Sequence, residues 1–176
     1  MLRANFRGMF LVLLTIMIFL SACSKDKNNP VEPGNGNEGP LNAQVKVKLD
    51  GAGFNNEEIT LTKGYSSYLT SDNETYAAFW GKTGNDSVYV AFQFAGSSSG
   101  TFNWRAENYD AAVIMMNDDN ALLYLATSEG KTNVVTYGAV GQKIEGTLSG
   151  KLVEVSTMDE IIVSGTFSIV RAQDSE

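Results

Sequence analysis

Any chemistry in this 176-residue chain has to be done without histidine and with a single cysteine. Without His there is neither the usual neutral-pH proton carrier nor the usual nitrogen ligand for zinc and copper, so Ser-His-Asp, Cys-His and HExxH arrangements cannot be assembled. Carboxylates are what remain. Asp72, Glu74, Asp86, Asp110, Asp118 and Asp119 are oxygen donors of the kind calcium accepts, but none has EF-hand spacing, and Asn/Asp clusters in loops ordinarily form turns. Two acids suitably apart could hydrolyse a glycosidic bond, yet among twenty Asp and Glu nothing singles out a pair. The chain therefore reads as a non-enzyme with no cofactor and no metal. Against those twenty acids stand 13 Lys and Arg, a net charge of -7. With no cluster of bases, nucleic acid is not an expected partner.

Aromatic residues offer recognition rather than reaction. Tyr65 and Tyr68 lie in the polar, Gly-preceded stretch Tyr65-Ser66-Ser67-Tyr68, and Trp104 is followed by Arg105. Exposed Tyr and Trp stack on sugar rings and anchor protein interfaces, so these three are the expected binding surface. The competing reading is interior packing, the commoner fate of an aromatic in a protein built sheet on sheet. The apolar runs Ala112 to Met116 and Ala121 to Ala126 either line a cavity for a hydrophobic ligand or form a central hairpin covered on both faces. Gly34, Gly36 and Gly39 match GxGxxG, but they sit between Pro33 and Pro40 with neither a strand before nor a helix after, which the dinucleotide motif requires.

The amino-terminal segment has its own logic. Arg3 and Arg7 precede an apolar run from Met9 to Leu20, which ends in Ser21-Ala22-Cys23: a basic region, an apolar region shorter than the roughly 20 residues a spanning helix needs, and a small-residue cleavage site. Leu20-Ser21-Ala22-Cys23 resembles the lipobox of bacterial lipoproteins. That resemblance implies cleavage before Cys23, with Leu20, Ser21 and Ala22 read by the peptidase, and acylation of the Cys23 thiol. Several acyl chains at about 0.8 kcal/mol per buried methylene hold a protein on a membrane where one does not. Ser24 rather than Asp after the cysteine implies the outer membrane, on its periplasmic face or at the cell surface.

Residues 23–40 continue with all three prolines of the chain and Val31 as their only aliphatic side chain, a composition that cannot repay ordering. The expected organisation is a leader over 1–22, a lipidated cysteine with a flexible polar tether over 23–40, and a globular domain over 41–176.

That domain reads as all-β. Val45 to Leu49 alternates apolar with charged residues, Ile59 and Leu61 continue the pattern, and Val88, Val90, Phe92 and Phe94 share one face of a strand joined through Gly84-Asn85-Asp86 to Thr75–Trp80. Further strands are expected at Val134 to Tyr137, at Ile144 to Leu152 and at Ile161 to Ile169. Each of the last two carries Gly on its inward side, where another backbone or a large side chain is expected to come close. About ten strands with mostly hairpin connections indicate an antiparallel sandwich or a flattened barrel.

Lys143-Ile-Glu-Gly-Thr-Leu-Ser-Gly150 and Val163-Ser-Gly-Thr-Phe-Ser-Ile-Val-Arg171, behind a lipobox and a polar spacer, resemble the closing strands of a group of Bacteroidota lipoproteins whose domain has no assigned function. The resemblance implies a fold and a location and lends no activity; Leu148 stands where those proteins usually have an aromatic. Separately, Asp86-Ser87-Val88 resembles the Asp-Ser/Thr-apolar site of Bacteroidota O-glycosylation, with Ser87 the candidate acceptor. The functional expectation is a lipid-anchored, non-catalytic module with an envelope protein or a glycan as partner. The alternatives are a calycin-like carrier of a small hydrophobic ligand and, behind it, a carboxylate-pair hydrolase.

Overall fold

A computed structural model describes residues 42–117, 120–172 and 174–175. Leu20, Ser21, Ala22 and Cys23, the tether 23–40, Asp118 and Asp119 lie outside the described residues. The domain is all-β: β1 (Gln44–Gly51), β2 (Phe54–Leu61), β3 (Lys63–Leu69), β4 (Glu74–Thr83), β5 (Asp86–Ala95), β6 (Gly100–Asn103), β7 (Ala111–Met116), β8 (Ala121–Tyr137), β9 (Lys143–Glu154) and β10 (Glu160–Val170), with one 3-10 turn at Ala106–Asn108. All ten strands belong to one antiparallel sheet in the order β2-β1-β10-β9-β8-β7-β5-β4-β3, and β6 pairs with β8 beside that path. Tight polar turns make most connections. Gly84 (φ 60°) turns β4 into β5, Gly51-Ala52-Gly53 (φ 96°, 47° and 92°) turns β1 into β2, and the Asn120 backbone N–H donates to Asn117 Oδ1 at 2.8 Å between β7 and β8.

The sheet curls on itself into a flattened half-barrel of two layers. Two places make the bend. Thr62 alone separates β2 from β3, so the chain passes from one edge of the sheet to the other in a single residue. The second is a bulge in β8, whose register on β9 shifts between Ala126 and Gly130. Residues before it pair with β7 and residues after it with β6. The sequence pattern predicts two separate segments here, Ala121 to Ala126 and Val134 to Tyr137. They are one long strand whose middle is polar because it bulges, and an extra-residue bulge bends a strand and increases its twist.

Inside the curl, residues of β4 and β5 meet residues of β10 and β2. The Phe92 and Phe167 rings approach to 4.6 Å and those of Phe79 and Phe92 to 6.0 Å, while Val45, Val47, Ile59, Leu152, Ile161 and Ile169 are buried around them. The inward glycines do what their positions predict. At Gly130 and Gly150, which face each other across β8 and β9, a Cβ would enter the Trp104 indole; at Gly146 it would meet Asn133 O and Phe167, and at Gly165 the β1 backbone. Trp104 is thus a lid on a glycine pair, 3% exposed, with its Nε1 donating to the buried Thr132 Oγ1 at 3.0 Å.

Gly130→Ala is expected to cost about 2–3 kcal/mol, the upper range for overpacking a tight site. Gly84→Ala, where a Cβ meets open space, is expected to cost about 1 kcal/mol for its positive φ. Urea unfolding of both variants gives the comparison; equal losses would mean that the indole does not need the glycines.

Candidate functional site

The two layers differ in what they show to the outside. Cross-strand partners point to the same side of a sheet, so the register assigns every residue to the inner or the outer face. On β1, β2, β9 and β10 the outer residues are mostly polar: Lys46, Lys48, Glu58, Thr147, Ser164 and Thr166 are exposed, Lys46 pairs with Glu58 at 3.0 Å, and Lys151 reaches Glu129 and Glu160 at 3.2 Å each. Ile162, 58% exposed, is an exception, and the register sets half-buried Val153 and Val170 on the same side.

The other layer, β3, β4, β5, β7 and the first part of β8, has apolar residues outside as well as inside. Register sets them in rows across the strands. One row runs Lys63, Trp80, Tyr89, Ile114 and Leu123; the next runs Tyr65, Ala78, Ala91, Ala112 and Leu125. Lys82, Ser87 and Met116 flank the first row, and Tyr76 and Gln93 flank the second. Tyr65, Tyr76 and Trp80 are 41%, 38% and 36% exposed, and Tyr89, Ile114, Leu123 and Leu125 are half-buried by one another on a face that no described strand covers. A contiguous apolar outer face of this kind is unusual on an isolated domain.

At one border of this face a loop is fixed by charge. The Arg105 Nη2 donates to Glu74 Oε1, its Nε donates to Asp110 Oδ2 at 2.9 Å, and its backbone N–H donates to the same oxygen at 2.8 Å. Gln93 Nε2 donates to Asp110 Oδ1 at 2.9 Å and to Asn108 O at 3.0 Å. Glu74 and Asp110 do converge, but on a guanidinium that occupies their lone pairs. Chemically the group is an ion-pair lock that ties the 3-10 turn to β4 and β5, and its carboxylates hold Arg105 above even its usual high pKa. Beside it, burial and then the Glu74 charge push the Tyr76 phenol from 10.0 up to about 12.

Three expected surface aromatics separate in the structure. Tyr65 is on the outer face. Tyr68, three residues on and so on the other side of β3, closes the open end of the curl: its hydroxyl donates to Asn73 Oδ1 at 2.8 Å and its ring lies 5.8 Å from the Arg171 guanidinium carbon. Arg171 also lies 5.0 Å from the Tyr137 ring and binds both Asp174 oxygens, at 2.7 and 2.9 Å. Trp104 is buried over its glycines, which corrects the expectation that it is exposed.

The apolar runs at Ala112 to Met116 and Ala121 to Ala126 are not covered on both faces either. Val113, Met115, Tyr124 and Ala126 are buried, while Ala112, Ile114, Leu123 and Leu125 build the outer face. Sequence reading misses Tyr76 and Tyr89, and it passes over Trp80. The available signal is period two: Tyr76, Ala78 and Trp80 alternate with the core residues Ala77 and Phe79.

Ser87 is half-buried at the margin of this face, next to the Gly84 turn. Two open depressions, of about 480 Å³ along Asn103, Glu129, Lys131 and Ser149 and about 520 Å³ along Gln44, Thr62, Lys143 and Ser168, lie on polar surface away from the aromatics. Among the described residues no group of three or more metal-ligating acids or thiols gathers. No protein-family model, curated protein or solved structure matches the chain.

Two outcomes are expected from the lock. Arg105→Ala leaves the buried Asp110 carboxylate without its counter-charge, with only Gln93 and the backbone N–H of residue 105 donating to it, and is expected to cost on the order of 3 kcal/mol in urea unfolding; a cost below about 1 kcal/mol would mean that water replaces the guanidinium freely. The folded state binds the Tyr76 proton more tightly than the unfolded chain does, so this contribution to stability is full below pH 10.0 and is lost as pH rises towards about 12. Burial raises Tyr124 and Tyr137 as well, so phenolate absorbance should show a late-titrating component, of which the part due to Tyr76 moves down in Glu74→Gln and is lost in Tyr76→Phe.

Proposed function

We propose that this protein is a lipid-anchored module of a bacterial envelope whose β-domain works by binding, through the outer face of β3, β4, β5, β7 and β8, to a protein partner. The observation that carries the reading is the division of the outer surface: one layer wears charges and hydroxyls, the other tyrosine, tryptophan and aliphatic residues in register. Soluble strands with one wet face alternate apolar with polar, as β1 and β9 do. Apolar residues on both sides of four adjacent strands make sense only if the second side is also removed from water.

Two further observations favour a binding face over the carrier reading. The interior is occupied by side chains, with Phe79, Phe92 and Phe167 in ring contact. The depressions at the surface are polar and open. For a hydrolase, the acid pairs that converge are held by bases, Glu74 and Asp110 by Arg105 and Glu129 and Glu160 by Lys151, arrangements suited to fixing structure.

The anchor rests on the sequence. Leu20-Ser21-Ala22-Cys23 after a basic and apolar leader supports acylation at Cys23, and the 17 residues from Ser24 to Pro40, at most about 55 Å when extended, would let the domain reach a partner off the membrane. Outer-membrane attachment follows from Ser24, with Ser87 a candidate acceptor for glycan.

Labelled palmitate is expected to enter the full chain and not Cys23→Ala; incorporation into both would remove the anchor. For the face, Trp80→Ala and Tyr89→Ala are expected to weaken capture of the partner by about tenfold or more each, with the urea midpoint changed little, whereas Lys48→Ala on the polar layer is expected to change neither. Equal capture by all three would reject the face.

A further inference from the structure

Resting on that reading of the outer face, we infer that its partner is a second copy of this chain, packed face to face about a two-fold axis. The argument begins with the sizes of the two central rows. Trp80, Tyr89, Ile114 and Leu123 form a ridge, and the row beside it, Ala78, Ala91 and Ala112, is a trough two residues along the same strands. An isologous contact turns a face over onto itself. A two-fold axis lying across the strands at the level of Phe79, Val90 and Val113, which are paired in register between ridge and trough, exchanges the two rows. Trp80 then stands over Ala78 of the second copy, Tyr89 over Ala91 and Ile114 over Ala112. Large side chains meet small ones across the central strands, as sheet-on-sheet packing requires.

Charge follows the same operation. It brings Lys63, at the end of the ridge, onto Tyr65 of the second copy, and Lys82 onto Tyr76 beside Glu74. Ammonium groups over tyrosine rings are favourable contacts, and no described acid or base is set against its own sign. A glycan platform would use the aromatic side of the face and leave Ile114, Leu123 and Leu125 without a role; the two-fold contact uses both.

The area is sufficient. Four rows of residues at about 3.4 Å per residue along the strand, over five strands about 4.8 Å apart, make a face of about 27 by 24 Å. Two such faces remove about 1,300 Å² in total, within the range of stable specific interfaces of about 1,200–2,000 Å².

Site-specific photocrosslinking in intact cells tests this on the full chain. Tyr89→p-benzoylphenylalanine is expected to give, on irradiation, a product of twice the mass containing two differently tagged copies, joined near Ala91. The same probe at Lys48 is expected to give none. In this Tyr89 background, Trp80→Ala and Ala78→Trp are each expected to reduce the product about tenfold, and the swap Trp80→Ala with Ala78→Trp to restore it to within about threefold, because bulk again faces space across the axis.

A swap no better than its single variants overturns the two-fold contact. Crosslinking of Tyr89 to a different protein or to lipid overturns self-association while leaving the outer face as the binding surface. No more crosslinking at Tyr89 than at Lys48 overturns both.

Discussion

A β-strand offers its residues alternately to two sides, and a single curled sheet can take only one of those sides out of water. Everything distinctive here follows from that limit. The inner side of the sheet is filled mainly by aliphatic and aromatic groups, tightly enough that Gly130, Gly146, Gly150 and Gly165 have no room for a methyl group. On β1, β9 and most of β10 the other side is polar, and burial is complete. On β4, β5, β7 and the first part of β8 it is not, and no strand among the described residues covers it.

The curl separates the two kinds of strand. The bulge between Ala126 and Gly130 and the single-residue passage at Thr62 put the doubly apolar strands together in one layer and the amphipathic ones in the other. Trp104 over the Gly130–Gly150 pair fixes the first of these corners. The Arg105 lock and the Arg171 stack close the remaining openings with paired charge, so each polar group there has a partner where water is scarce. The outer face is therefore a rigid product of the core; it is built on strands, and its loops only border it.

Much of this is legible in the sequence, and what is not has identifiable causes. The alternation of Val45 to Leu49 and of Ile144 to Leu152 gives strand, sidedness and inward glycines together, because one wet face makes the period visible. In Ala112 to Met116 and Ala121 to Ala126 both faces are apolar and the period disappears, so the residues that matter outside cannot be told from those inside without register. Trp104 misleads for a related reason: beside Arg105 it looks like a surface residue, but its burial depends on two glycines 26 and 46 positions later in the chain. Tyr65 and Tyr68 look like a pair and fall on opposite sides of β3, since three is an odd step along a strand.

The proposal stands on the outer face of β3, β4, β5, β7 and β8 being covered in the cell. Hydroxyl-radical footprinting of intact cells, compared with the unfolded chain, reads this residue by residue. The account predicts strong protection of Tyr65, Tyr76, Trp80 and Tyr89 while Ile162 and Val140, exposed elsewhere on the domain, react freely. Protection of the four aromatics, each relative to the unfolded chain, no greater than that of those two would contradict it.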